Sequence, residues 1–212
     1  MSKTQNKATN LIIKISLYVA YIDGNFHNSE SKVIKQWIKQ RIDDLNKPDA
    51  DNSAELKKIY KDYFEESKEL AMNGQLKINL ICKELRSLES QPAQIAAMDL
   101  AVQIMTADNI IHNKEISTIH KVANLLGISH AEVMKITNTE ILKMTKIPEE
   151  IDIEGLLNID PTVSNKKADK WFNELDDTWH GATTSTNAGM KRKIAQTMYE
   201  EVSKAWGKYA IS

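Results

Sequence analysis

LYVAYIDGNFHNSESKVIKQW, from Leu17 to Trp37, is the stretch from which the rest of the chain can be read. An apolar run at helical spacing stops at Asp23-Gly24, and a second helix starts near Asn28 with Glu30 in its first turn. Glycine accepts the positive φ at which helices commonly end. The same pattern returns in VQIMTADNIIHNKEISTIHKV, from Val102 to Val122. Asp23 matches Asp108, His27 matches His112, Asn28 matches Asn113 and Glu30 matches Glu115, always at an offset of 85 residues (23 to 108). Both copies read Asp-x-x-x-His-Asn-x-Glu, the mark of an internal repeat.

Outward from this repeat, the chain reads as all-α. Leu11, Ile12, Ile15, Tyr18, Val19 and Ile22 form one face of a first helix. Further helices are expected near 28–42, 54–72, 75–88, 92–106, 113–126 and 130–136, with an irregular connection from Ile147 through Pro161. Two more are expected at about 164–178 and 188–209, joined by the polar linker WHGATTSTNAG. No strand-like alternation of useful length interrupts them. The expected organisation is a two-repeat helical bundle over residues 1–146 and a two-helix extension over 147–212.

Composition narrows the function classes. In 212 residues there are seven Gly and four Pro, few enough to favour long helices. The net charge of −1 argues against non-specific nucleic-acid binding as the main activity. Cys82 is the single cysteine, so no internal disulfide can form, and a cytoplasmic setting is expected. The polar N-terminus carries no secretory signal pattern. The longest apolar stretch, Leu11 to Ile22, is interrupted by Lys14 and Ser16 and is too short to span a bilayer.

The repeated acids admit two readings. In the first, His or Asn caps the second helix and Glu30 or Glu115 reaches back to free backbone N–H groups, a capping box aided by the helix dipole. In the second, the two like corners face each other and Asp23, Glu30, Asp108 and Glu115 converge on a hard cation such as Ca²⁺ or Mg²⁺. With His27 and His112 added, Zn²⁺ enters the range. The spacing is not that of an EF-hand, because Gly24 directly follows Asp23 and Ile34 stands where the bidentate Glu belongs. Metal-assisted hydrolysis is a remote third reading, since no nucleophile elbow, phosphate loop or His-Glu-x-x-His is present.

LYVAYIDGNFHNSESKVI resembles the signature of the tellurite-resistance TerB-like helical family, in which a helix ends in Ala-Asp-Gly and a Glu follows. IMTADNIIHNKEISTIHKVANLLGIS is similar to the second half of that family, with its closing Leu-Gly-Ile-Ser. The resemblance covers about residues 8–140. It implies a compact domain of two related halves, serving bacterial stress or defence as a metal-sensing or interaction module and not as an enzyme. The implied partners are other proteins, including complexes at the inner face of a membrane. The acidic positions carry over to Asp23, Glu30, Asp108 and Glu115, while Asn109 departs from the second Gly and His27 and His112 are unusual.

Outside the repeat, Trp37, Trp171, Trp179 and Trp206 read most simply as core or packing residues, with Trp179 and Trp206 the choice if a partner groove exists. Lys191-Arg192-Lys193, the strongest basic cluster, reads equally as a site for phosphate or an anionic membrane and as an exposed helix face. His120 and His130 read as ordinary core or surface histidines, and Cys82 as a small core residue.

Overall fold

The structure, a computed structural model, describes residues 3–45, 53–148, 151–159, 163–185 and 189–209. Among these residues there are ten helices and no strand. They are α1 (Lys3–Ala20), α2 (Asn28–Leu45), α3 (Ser53–Met72), α4 (Ile78–Ser87), α5 (Gln91–Met105), α6 (Asn113–Leu126), α7 (His130–Ile141), α8 (Ile153–Leu156), α9 (Asn165–Ser185) and α10 (Met190–Trp206).

The two helices that lead into the repeated corners are the core of the bundle. On α1, Leu11, Ile12, Ile13, Ile15, Leu17, Val19 and Ala20 are all buried, so apolar contact surrounds the helix instead of following one stripe. This differs from the single face expected from spacing, because α1 is packed against α3, α4 and α5 together. Ser16 is tolerated inside because its hydroxyl donates to the Ile12 carbonyl at 2.7 Å. α5 is buried in the same way through Ala97, Met98, Leu100, Ala101, Val102, Ile104 and Met105. The α1–α5 contact is the axis of the domain, and α2 and α6 leave its end at the two corners.

The C-terminal segment holds more helix than its composition suggests. The expected linker WHGATTSTNAG is helical through Ser185; residues 186–188 lie outside the described ones. Trp179 is buried, and the hydroxyls that follow it find acceptors on backbone carbonyls of the preceding turn. Thr183 donates to the His180 carbonyl at 2.7 Å, and Ser185 donates to that of Gly181 at 2.7 Å. Within the expected irregular connection, Asp152 accepts from the Gly155 N–H at 2.8 Å and starts the short α8.

Two histidines fasten this segment to the repeat domain. The His120 Nε2 of α6 lies 3.0 Å from the Gly155 carbonyl and 2.9 Å from that of Leu156. Both acceptors are carbonyls, which fixes Nε2 as the protonated nitrogen. The Gly155 carbonyl also accepts from the Asn158 N–H at 2.8 Å, so the imidazole joins the acceptors at the end of α8. His130, at the start of α7, stacks on Trp171 of α9 with ring centroids 4.1 Å apart, and Lys167 lies over the same indole at 4.5 Å. Burial, with the neighbouring His120 and Lys167, pushes the His130 pKa down to about 4, and burial also lowers that of His120.

A histidine whose pKa is depressed by folding contributes stability above its unfolded value, which is lost as pH falls through the folded value. Docking of α8 and α9 on α6 and α7 is therefore expected to weaken between about pH 6.5 and 4. Amide hydrogen exchange of α8 and α9 should accelerate over that window in the wild type. In a His130→Phe variant, which keeps the stack and cannot ionise, the acceleration should be smaller. Equal acceleration in both proteins would show that His130 does not fasten the segment.

Candidate functional site: paired acidic corners

Each corner is built the same way, residue for residue. In the first, Asp23 Oδ1 accepts from the Asn25 N–H at 2.8 Å, and Glu30 Oε2 accepts from the His27 N–H at 2.6 Å. In the second, Asp108 Oδ1 accepts from the Ile110 N–H at 2.9 Å, and Glu115 Oε2 accepts from the His112 N–H at 3.2 Å. The Asp thus shapes the exit from one helix and the Glu secures the entry to the next. Each Glu lies in the first turn of its helix, where the dipole favours a negative charge. In the second corner, Ile111 and Ile116 stand at the staple positions flanking the cap and are both buried.

The residue after each Asp must take a positive φ. Gly24 does so at 90°, and Asn109 does so at 68°. Asparagine is among the few non-glycine residues that tolerate this region. Here it adds a second role. Asn109 Oδ1 accepts from the Thr145 N–H at 2.7 Å, the Thr145 hydroxyl at 3.1 Å and the Lys146 N–H at 3.1 Å. The departure from glycine thereby ties the second corner to the chain leaving α7.

The two corners meet. Asp23 and Asn25 from the first line one groove of about 1050 Å³ together with Asp108, Asn109 and His112 from the second. Behind this rim, Glu30 and Glu115 are only 4% and 6% exposed. Burial pushes the Glu30 pKa up to about 7, with Asp23 and Asp108 raising it further against the His27 N–H bond. Burial likewise pushes Glu115 up to about 8, opposed by the His112 N–H bond and reinforced by Glu30, Asp108 and Asp23. Each glutamate therefore feels acids from the opposite repeat.

The four carboxylates keep capacity to bind. One oxygen of each is held by a backbone N–H, and among the described residues Oδ2 of both aspartates and Oε1 of both glutamates accept no protein hydrogen bond. The same residues do not form a ready-made metal cage: among the described residues, no three His, Cys, Asp or Glu side chains are grouped as metal ligands. His27 and His112 sit exposed where each loop enters its helix.

The residues expected to meet a partner are placed elsewhere. Trp179 is 0% exposed, so it packs the interior of the C-terminal segment and offers no surface to a partner. Its apolar helical spacing with Phe172 and Leu175 is the physical reason. Trp206 is half-buried, and its Nε1 donates to Asp169 Oδ1 at 2.8 Å. Lys191, Arg192 and Lys193 are exposed in the first turn of α10, where the helix dipole does not favour cations. Cys82 is fully buried, and burial pushes its thiol up to about 12, which makes it inert. Sequence reading missed the Asn109 clip and the His130–Trp171 stack. Asn in place of the expected Gly was the available signal for the first; the second joins residues too far apart in the chain to leave one.

A carboxylate whose pKa is raised by folding contributes stability that is fully present below its unfolded value, near 4.5 here, and is lost as pH rises through the folded value. Stability in EDTA is therefore expected to fall as pH rises from about 5 to 8.5. Glu115→Gln should flatten this slope and be the more stable protein at the alkaline end, by on the order of 1–3 kcal/mol. Urea melts at a series of pH values measure this. A variant slope equal to that of the wild type would mean that Glu115 ionises as freely as in the unfolded chain.

The sequence model of the family described as Tellurite resistance protein TerB matches residues 9–138, more than half of the chain, and takes in both corners. Comparison with curated proteins and with solved structures gave no match.

Proposed function

The chain belongs to the tellurite resistance TerB family, and from that premise we propose that it is a non-enzymatic sensor and interaction module whose two acidic corners take a divalent cation. The observation that supports this most is a pair of buried glutamates, each raised in pKa by burial and by acids of both repeats, beside two aspartates, with one oxygen of each of the four unused by the protein among the described residues. Protons or a cation would relieve the cost of ionising the two buried glutamates beside these acids. The donors of this cluster are all oxygen, and the two histidines stand exposed at the rim, so a hard cation such as Ca²⁺ or Mg²⁺ suits it better than Zn²⁺.

The mechanism follows from where the acids sit. They lie at the ends of α1 and α5 and at the starts of α2 and α6. A cation bound across the corners fixes how the two halves meet, and with them the groove lined by Asp23, Asp108, Ile110 and Ile147. Ile110 is 53% exposed and Ile147 38%, so the groove offers apolar contact to a protein partner beside the cation. No helix among the described residues is long and apolar enough to cross a membrane, so any service to a membrane complex would run through such a partner.

A second reading is favoured by the absence of a grouped ligand triad among the described residues. In it, the glutamates only cap α2 and α6, and the domain is a metal-free scaffold. Thermal melts separate the two. Cation binding to the folded state raises stability by about 2.7 kcal/mol at a hundredfold excess over Kd, roughly 5–10 °C for a chain of this size. The rise should be larger at pH 8 than at pH 6, because protons compete for the same oxygens, and should vanish in Glu30→Gln/Glu115→Gln. If Ca²⁺, Mg²⁺, Mn²⁺ and Zn²⁺ all leave the midpoint unchanged, the scaffold reading stands.

A further inference from the structure

Between α2 and α3, which pack against each other, lies a seam of about 410 Å³ that shares no lining residue with the acidic groove. Its floor is apolar. Ile38 and Ile42 come from α2 and Phe64 from α3, each less than 10% exposed. Its walls are lysines in two helical ladders. Lys35 and Lys39 stand four residues apart on α2, and Lys57 and Lys61 stand four apart on α3. Residues at this spacing lie one above the other on a helix, about 6 Å apart. Lys35 Nζ lies 5.5 Å from the Phe64 ring centre, which places the start of the α2 ladder beside the far end of the α3 seam. The helices therefore run antiparallel, and Lys39 and Lys61 share the middle rung.

The charge on this seam is unbalanced. Asp43 and Glu65 also line it, toward opposite ends, leaving four cations against two acids. Some lysines elsewhere form ion pairs: Lys7 pairs with Glu84 at 2.8 Å, and Lys208 with Glu154 at 3.2 Å. Among the described residues none of the four seam lysines forms an ion pair. All four are exposed, and their aliphatic stems extend the apolar floor outward while the ammonium groups stay in water.

We propose that the α2–α3 seam is a docking site for an acidic amphipathic helix of a partner protein, its apolar stripe on the lysine stems above the buried Ile38, Ile42 and Phe64 and its flanking carboxylates on the two lysine ladders. The match is one of shape and period. The complement of two ladders with helical spacing about an apolar line is a third helix, whose anchors repeat at three and four residues with acids on both edges. An anionic membrane is the poorer fit, because a concave seam between two helices receives a rod and not a plane. The charge pairs set partner choice and speed of encounter more than affinity. This surface is separate from the acidic corners, so it stands whether or not they bind a cation.

The test uses the full chain and two fluorescein-labelled synthetic helices that share one leucine stripe, one flanked by Glu and the other by Lys. The Glu helix should bind saturably, more weakly at high salt, and at least tenfold more weakly to Lys39→Glu/Lys61→Glu. The Lys helix should ignore the wild type and bind that charge-reversed variant. Lys39→Gln/Lys61→Gln, which should melt with the wild type, serves as the milder variant and should bind the Glu helix with intermediate strength. Undiminished binding of the Glu helix to both variants overturns the proposal, as does failure of either helix to bind. So does a loss, in these variants, of binding to anionic phospholipid vesicles while neither helix binds.

Discussion

Burial of two glutamates, one from each repeat, beside two aspartates is the constraint around which this protein is arranged. Two thoroughly buried helices, α1 and α5, carry Asp23 and Asp108 just past their C-terminal ends, where the helix dipole already disfavours negative charge. The following helices return Glu30 and Glu115 to the same place. Backbone N–H bonds and the favourable ends of α2 and α6 offset part of the cost. Burial, with the neighbouring acids adding to it, pushes the Glu30 and Glu115 pKa values up to about 7 and about 8. A hydrophobic core this continuous leaves little freedom to separate the corners. Neutralisation by protons or by a cation is the remaining way to relieve the strain, which links the packing of the domain to the function proposed for it.

Much of this was legible in the sequence because the repeat writes it twice. The equivalence of Asp23 with Asp108 and of Glu30 with Glu115 needs no structure, and helical spacing alone gives an all-α bundle. Convergence of the corners was only an expectation, since sequence cannot say at which end two helices meet. Spacing also understated α1: Ile13 and Leu17 lie off the expected face and are buried because neighbours surround the helix. Asn109 looked like a lapse from glycine, yet its side chain does work a glycine could not.

The C-terminal segment was read less well, for identifiable reasons. Gly181, Thr183, Thr184 and Ser185 have turn-forming composition, but they continue a helix anchored by the buried Trp179, and their hydroxyls find acceptors within it. Trp179 itself illustrates why an aromatic residue flanked by polar ones is a poor sign of a surface. The junction made by His120, His130 and Trp171 joins three helices, and the lysine seam joins two. On any one helix the lysines look like solvated positions, the histidines like ordinary core or surface residues and Trp171 like a packing residue. Their meaning arises only when a second helix supplies the other side.

The central claim is that Glu30 and Glu115 share one electrostatic site with Asp23 and Asp108. Side-chain carboxyl ¹³C shifts, followed by NMR from pH 3 to 10 with EDTA and then with Ca²⁺, measure it most directly. The account predicts that both glutamates titrate near neutrality or above without metal, in a coupled manner, and that Ca²⁺ moves both midpoints sharply down. Two independent titrations near pH 4.5, indifferent to Ca²⁺, would contradict it.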